Sequence, residues 1–180
     1  MKIIKLLFIL SIAALLTGCG FHLRGAYPLP PQLRTMYLQS DKPYSDLTKQ
    51  IKMTLALSNV KLTADPTQAP IILALSNENF STYQTSVGNS TQTRNYNATY
   101  AVTYQLQNKY GNDITAAKTI SNSSTITVNQ NEILENSNKL NIVKQNLIRD
   151  LVMKLMFQLS SKNTIMALRK HSVIRHENRR

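Results

Sequence analysis

Tyr96-Asn97-Ala98-Thr99-Tyr100-Ala101-Val102-Thr103-Tyr104-Gln105-Leu106-Gln107 decides the fold. Tyr96, Ala98, Tyr100, Val102, Tyr104 and Leu106 occupy alternate positions, and Asn97, Thr99, Ala101, Thr103, Gln105 and Gln107 lie between them. Successive side chains of a strand point to opposite faces, so this alternation predicts one packed face carrying the tyrosines and one wet face carrying the amides and hydroxyls. Asn108 to Asp113, with Gly111, reads as a turn. A second strand, weakly alternating and rich in Thr and Ser, follows from about Thr115 to Val128 and closes a long hairpin.

The hairpin needs a partner for its apolar face, and the sequence supplies one next. Leu140, Val143, Leu147, Leu151, Leu155 and Leu159 recur every three or four residues, with Ile148, Val152 and Met156 widening the stripe. This is an amphipathic helix of roughly 28 residues, about 42 Å long at 1.5 Å per residue. Asn129 and Glu132 have the spacing of a loose capping box at its start. Packing against the sheet is the expected use of the apolar stripe; a membrane-surface helix is the competing one.

Upstream, Arg34 to Gln39 reads as a short strand, broken by Asp41-Lys42-Pro43. Ser45 is a helix N-cap candidate, and Leu47, Ile51, Thr54 and Leu55 follow at helical spacing, giving a helix over Tyr44–Leu57. Asn59 suits a left-handed cap, and Val60-Lys61-Leu62 can begin a strand. Ile71 to Leu75 is a short apolar run with polar residues continuing to Thr85; Val87-Gly88-Asn89-Ser90 reads as a loop. The expected fold is α+β: two helices packed on one face of a mostly antiparallel four-stranded sheet. The opposite face, rich in Thr, Asn, Gln and Ser, is left for water or a polar partner.

The N-terminus carries a different message. Lys2 and Lys5 form a positive start, Leu6 to Leu16 an eleven-residue apolar run, and Leu16-Thr17-Gly18-Cys19 ends it with the chain's one cysteine. The run is short for a bilayer span of about 20 residues and has the layout of a secretory signal. The tetrapeptide resembles the lipobox of bacterial lipoproteins, which implies cleavage before Cys19 and lipid on that residue. Several acyl chains on one residue anchor durably where a single chain does not. Gly20, where an Asp would mark inner-membrane retention in that pattern, points to the outer membrane. The expected organisation is a cleaved signal over 1–18, a lipid anchor and extended linker over 19–33, one domain over 34–161, and a basic, disordered tail over 162–180.

The 180 residues hold 21 Lys and Arg against 9 Asp and Glu, a net charge of +12. Such an excess favours anionic partners. For a secreted, lipid-anchored chain, acidic lipid or phosphorylated glycolipid fits better than nucleic acid. Part of the charge is local: Lys162, Arg169, Lys170, Arg175, Arg179 and Arg180 face only Glu177. This tail reads either as solvated or as a contact for a phosphate-bearing surface.

No catalytic pattern emerges. His22, His171 and His176 lack a carboxylate or metal-ligand spacing, and Gly-x-Ser-x-Gly, Cys-x-x-Cys and phosphate-cradling glycine loops are absent from the sequence. The reading is a non-enzyme without cofactor apart from lipid on Cys19.

Gly18-Cys19-Gly20-Phe21-His22-Leu23-Arg24-Gly25 closely resembles the mature start of the lipopolysaccharide-assembly lipoproteins of the LptE family, which typically carry Gly-Cys-Gly, an aromatic residue and His-Leu-Arg. Met36-Tyr37-Leu38, the exit Leu57-Ser58-Asn59-Val60, the tyrosine strand and the turn at Gly111-Asn112-Asp113 follow the family pattern more loosely. The resemblance implies an outer-membrane lipoprotein that plugs and helps assemble the LptD barrel, binds lipopolysaccharide and assists its transfer to the outer leaflet. Family members bind with basic residues on strands and nearby loops; here Arg94 is the leading candidate, followed by Lys109, Lys118 and Lys139, with Asn89 and Asn136 at comparable places. A free, lipid-anchored lipid- or glycan-binding module is the alternative.

Overall fold

The computed structural model describes residues 27–87, 93–129 and 133–177. The signal, Cys19 and its motif, the loop with Asn89, and Glu132 of the expected capping box lie outside the residues so described. The elements run β1 (Thr35–Ser40), α1 (Asp46–Leu57), β2 (Lys61–Leu62), β3 (Ile71–Val87), β4 (Thr93–Asn108), β5 (Lys118–Asn129), α2 (Ile133–Leu159) and α3 (Lys162–Glu177).

The five strands form one mixed sheet in the order β2-β1-β3-β4-β5. This corrects the expected four-stranded, mostly antiparallel sheet with two helices. β1 pairs in parallel with both β2 and β3, because α1 is a crossover that returns the chain in the same direction. The β3–β4 and β4–β5 pairs are antiparallel, as the hairpin reading required.

Local chemistry explains each boundary near the crossover. Ser45 Oγ accepts from the Thr48 backbone N–H at 3.1 Å and caps α1. Asn59 takes φ 59°, which lets Val60 N–H reach Leu55 O at 3.0 Å and Asn59 N–H reach Ala56 O at 3.1 Å. These two bonds satisfy carbonyls that the helix end would otherwise orphan. In the β4–β5 turn, Gly111 adopts φ 80° and Asn108 Oδ1 accepts from the Tyr110 and Asn112 backbone N–H groups at 2.9 and 3.0 Å.

α1 and α2 cover one face of the sheet. Leu33, Met36, Leu47, Ile51, Leu55, Leu73, Leu106, Leu151, Leu155 and Met156 are fully buried between the layers. Burying each such side chain contributes about 1.5–3 kcal/mol. Ala98, Tyr100, Val102, Tyr104 and Leu106 of β4 are all buried on that face, so the alternation assigns the packed side correctly. α2 is further tied to β5 by Lys154 Nζ donating to Ser121 O at 2.8 Å and by Asn122 Nδ2 donating to Asp150 Oδ2 at 2.9 Å.

β3 runs 17 residues and takes in both the apolar run and the polar stretch beyond it. Two further corrections concern the ends of the chain. From Lys162 the chain forms α3 instead of a disordered tail: Thr164 and Leu168 are buried, and Thr164 Oγ1 donates to Gln158 O at 2.8 Å. The expected linker is docked from Tyr27 onward, where Tyr27 N–H donates to Ser58 Oγ at 3.1 Å and Pro31–Leu33 makes a 3-10 turn that buries Leu33.

Candidate functional site

The uncovered sheet face is built by the residues between the core positions. Along β1 it presents Thr35, Tyr37 and Gln39, and along β3 Ile72, Ala74, Ser76, Asn79, Ser81, Tyr83 and Thr85. β4 continues it with Thr93, Asn95, Asn97, Thr99, Ala101, Thr103, Gln105 and Gln107, and β5 with Thr119, Ser121, Ser123, Thr125 and Thr127. No outward position of these four strands carries a charge; the charges on this face stand at its margins, Lys61 of β2 beside Thr35 and Asp113, whose Oδ1 accepts from Gln107 Nε2 at 3.1 Å. The side chains pair across the ladder instead. Thr99 Oγ1 and Ser123 Oγ lie 2.8 Å apart, as do Thr103 Oγ1 and Thr119 Oγ1. Asn97 Nδ2 donates to the Tyr83 hydroxyl at 2.9 Å, and Thr127 Oγ1 donates to Asn95 Oδ1 at 2.8 Å.

This is unusual for a chain with so large a charge excess. A solvated sheet face normally accepts Lys or Glu at no cost, and edge positions favour them. A polar face that excludes charge suits contact with another surface, because interface centres are depleted of charged residues while hydroxyls and amides can exchange partners without stripping water from an ion.

Among the described residues, two recesses lie on the opposite face. At the distal end of β3–β5, Thr82, Tyr96, Ile126 and Val128 form a floor under Asn136, Ser137 and Leu140 of α2, leaving a cleft of about 380 Å³. The second recess lies at the N-terminus of α1. There a bulge between Ser76 and Asn79, with Asn77 at φ 53°, turns Glu78 toward the core. Glu78 is 6% exposed, accepts from Ser45 Oγ at 2.7 Å and from Tyr100 Oη at 2.5 Å. Lys42 Nζ donates to the Glu78 carbonyl at 2.7 Å. Burial first, then the hydrogen bond and charge of Glu78, hold the Tyr100 phenol well above its ordinary pKa; burial alone raises Tyr104. Sequence reasoning passed over Glu78, since a single acid in a polar run carries no periodic signal.

The four basic candidates fall at two ends. Arg94 is near the start of β4, on the helix side with Tyr96, and its Nη1 donates to Gln84 Oε1 at 3.1 Å. Lys139 precedes Leu140 on α2, three residues beyond Asn136, and Arg94 pairs across the ladder with Val128, so both cations neighbour residues of the distal cleft without lining it. Lys109 lies in the β4–β5 turn with Nζ 4.9 Å from the Tyr110 ring centroid, and Lys118 opens β5 opposite Tyr104. Arg94 and Lys109 are separated by about 50 Å of strand at roughly 3.3 Å per residue, so the four do not converge on one site.

Residues 33–159 match the family model for LptE, Lipopolysaccharide-assembly. The chain belongs to the LptE family. Among similar relatives, the LPS-assembly lipoprotein LptE of Pectobacterium atrosepticum is 47% identical over 64 residues, 35% of each chain. The protein of the same name from Yersinia enterocolitica is 47% identical over 62 residues, 34% of this chain and 30% of its own. The matched stretch thus spans about a third of the length of these relatives. Two solved structures share the fold of this LptE-family chain. An uncharacterized lipoprotein B from Nitrosomonas europaea superposes with TM-score 0.66 at 16% identity, covering 84% of this chain and 97% of the other. A minor lipoprotein from Acinetobacter baumannii gives 0.59 at 20% identity, covering 71% and 93%.

Among the described residues, no helix is long and apolar enough to cross a membrane, and no three His, Cys, Asp or Glu residues are grouped to hold a metal ion.

Proposed function

We propose that this protein is an outer-membrane lipoprotein, anchored through lipid on Cys19, that lodges in the lumen of the LptD barrel, assists its assembly and takes part in transferring lipopolysaccharide to the outer leaflet. The observation that carries this reading is the hydroxyl- and amide-rich outer face of β1, β3, β4 and β5, whose outward positions carry no charged side chain. The lumen of an outer-membrane barrel is polar. A wall of Thr, Ser, Asn and Gln can trade hydrogen bonds with such a lining, residue by residue, without burying an unpaired charge. Family membership supports the same role.

Lipopolysaccharide binding belongs to this reading. Its phosphates suit charge-assisted hydrogen bonds from guanidinium and ammonium groups. Arg94 and Lys139, beside one cleft, are the contact proposed for it; Lys109 and Lys118 stand at the other end of the sheet.

Co-purification tests the proposal. Tagged full-length protein, extracted from envelopes in mild detergent, should bring down a large outer-membrane barrel. A clean monomer that binds lipopolysaccharide in a saturable, salt-sensitive way would overturn the plug role in favour of a free lipid-binding module.

A further inference from the structure

We propose that the distal cleft takes one acyl chain of an anionic amphiphile, with the chain lying on Ile126, Val128 and Leu140 and the head group held outside between Arg94 and Lys139. The inference rests on the lipopolysaccharide-binding reading above and deepens it by assigning the lipid portion of the ligand to a place.

The recess of about 380 Å³ between sheet and helix opens to solvent and falls in the size range of small-ligand sites. Its apolar surface comes from Ile126, Val128 and Leu140 with the ring of Tyr96. Among the described residues its polar edge is made by uncharged Thr82, Asn136 and Ser137. Arg94 is two residues from Tyr96 on the same face of β4, and Lys139 adjoins Leu140. An apolar floor, a neutral polar edge and two cations beside it match an alkyl chain ending in a phosphorylated head group. A neutral glycan would leave the floor unused, and a free phosphate would need only the cations.

Direct binding with the purified full chain tests this, using lipopolysaccharide and the same lipopolysaccharide stripped of both its ester-linked and its amide-linked acyl chains by mild and then strong base. The wild-type protein is expected to bind the intact form at least tenfold more tightly. Thr82→Trp and Ser137→Trp, each placing an indole in the cleft, are expected to reduce that preference to twofold or less, with melting temperatures showing that the variants are folded. Retention of the tenfold preference in a folded variant would overturn the acyl-chain assignment and leave lipopolysaccharide binding standing. Loss of the stripped form as well, in both folded variants, would also overturn it, because the cleft would then be holding glycan. Failure of the wild type to bind either form would overturn lipopolysaccharide binding itself.

Discussion

Thr99→Glu tests the sheet face most sharply. Thr99 stands mid-way along β4, opposite Ser81 on one side and Ser123 on the other, and shares a 2.8 Å hydrogen bond with Ser123. In the isolated protein the new carboxylate reaches water. The cost is loss of one partly exposed hydrogen bond, about 0.5–1.5 kcal/mol, and a strand-propensity change within about 1 kcal/mol. Against a barrel wall the same carboxylate must be desolvated among hydroxyls, with Ser81 and Ser123 rather than a cation as its cross-strand neighbours. A buried charge left without its partner costs about 2–5 kcal/mol or more at an interface. At about 1.4 kcal/mol per tenfold, barrel association should weaken roughly 30-fold to several thousand-fold. The assay is quantitative co-purification of the barrel with tagged Thr99→Glu, alongside thermal unfolding of the isolated variant. Wild-type barrel recovery from a folded variant would refute the claim that this face is covered.

Other perturbations separate fold from function. Leu151→Asp puts a charge at a position with 0% exposure, and should destabilise by at least about 4 kcal/mol, read by chemical denaturation. Leu168→Ala should cost about 2 kcal/mol or more if α3 is packed as described; an unchanged melting temperature would return that segment to solvent. At high pH, the raised folded-state pKa of Tyr100 means that the unfolded chain loses its proton first, from about pH 10 upward. Stability contributed by that phenol is therefore intact below pH 10 and falls above it, by up to about 1.4 kcal/mol per pH unit. Unfolding measured between pH 9 and 11 should show the decline, and Tyr100→Phe should shrink it. Arg94→Glu should weaken lipopolysaccharide binding at low salt with the fold intact, by at least tenfold; unchanged affinity removes Arg94 from the site.

How far the sequence reaches depends on periodicity. β4 and α2 were legible because their apolar spacing is sustained for many residues, and Asn59 because a left-handed cap needs a residue that tolerates positive φ. The full length of β3 was not legible. Past Leu75 the bulge at Ser76–Asn79 shifts the alternation, and Glu78, Thr82 and Gln84 point to the helix side with no apolar label. β2 has two residues and forms only because β1 offers it an edge. α3 was hidden by its charge: Thr164 and Leu168 face inward, while Arg169 and Lys170 dominate the composition. The wet face was legible as polar, but its freedom from charge has meaning only once register places Thr99, Thr103, Ser123 and Thr119 side by side. The distal cleft joins Thr82, Tyr96 and Ser137, which no local pattern connects.

Site-specific photocrosslinking in living cells addresses the central claim most directly. A photoreactive residue at Thr103, on the open sheet face, is expected to capture a large outer-membrane barrel, and the yield should exceed that from Met36, buried in the core. Crosslinks from Thr103 confined to lipid or solvent, while the cell's lipopolysaccharide export continues, would contradict the account.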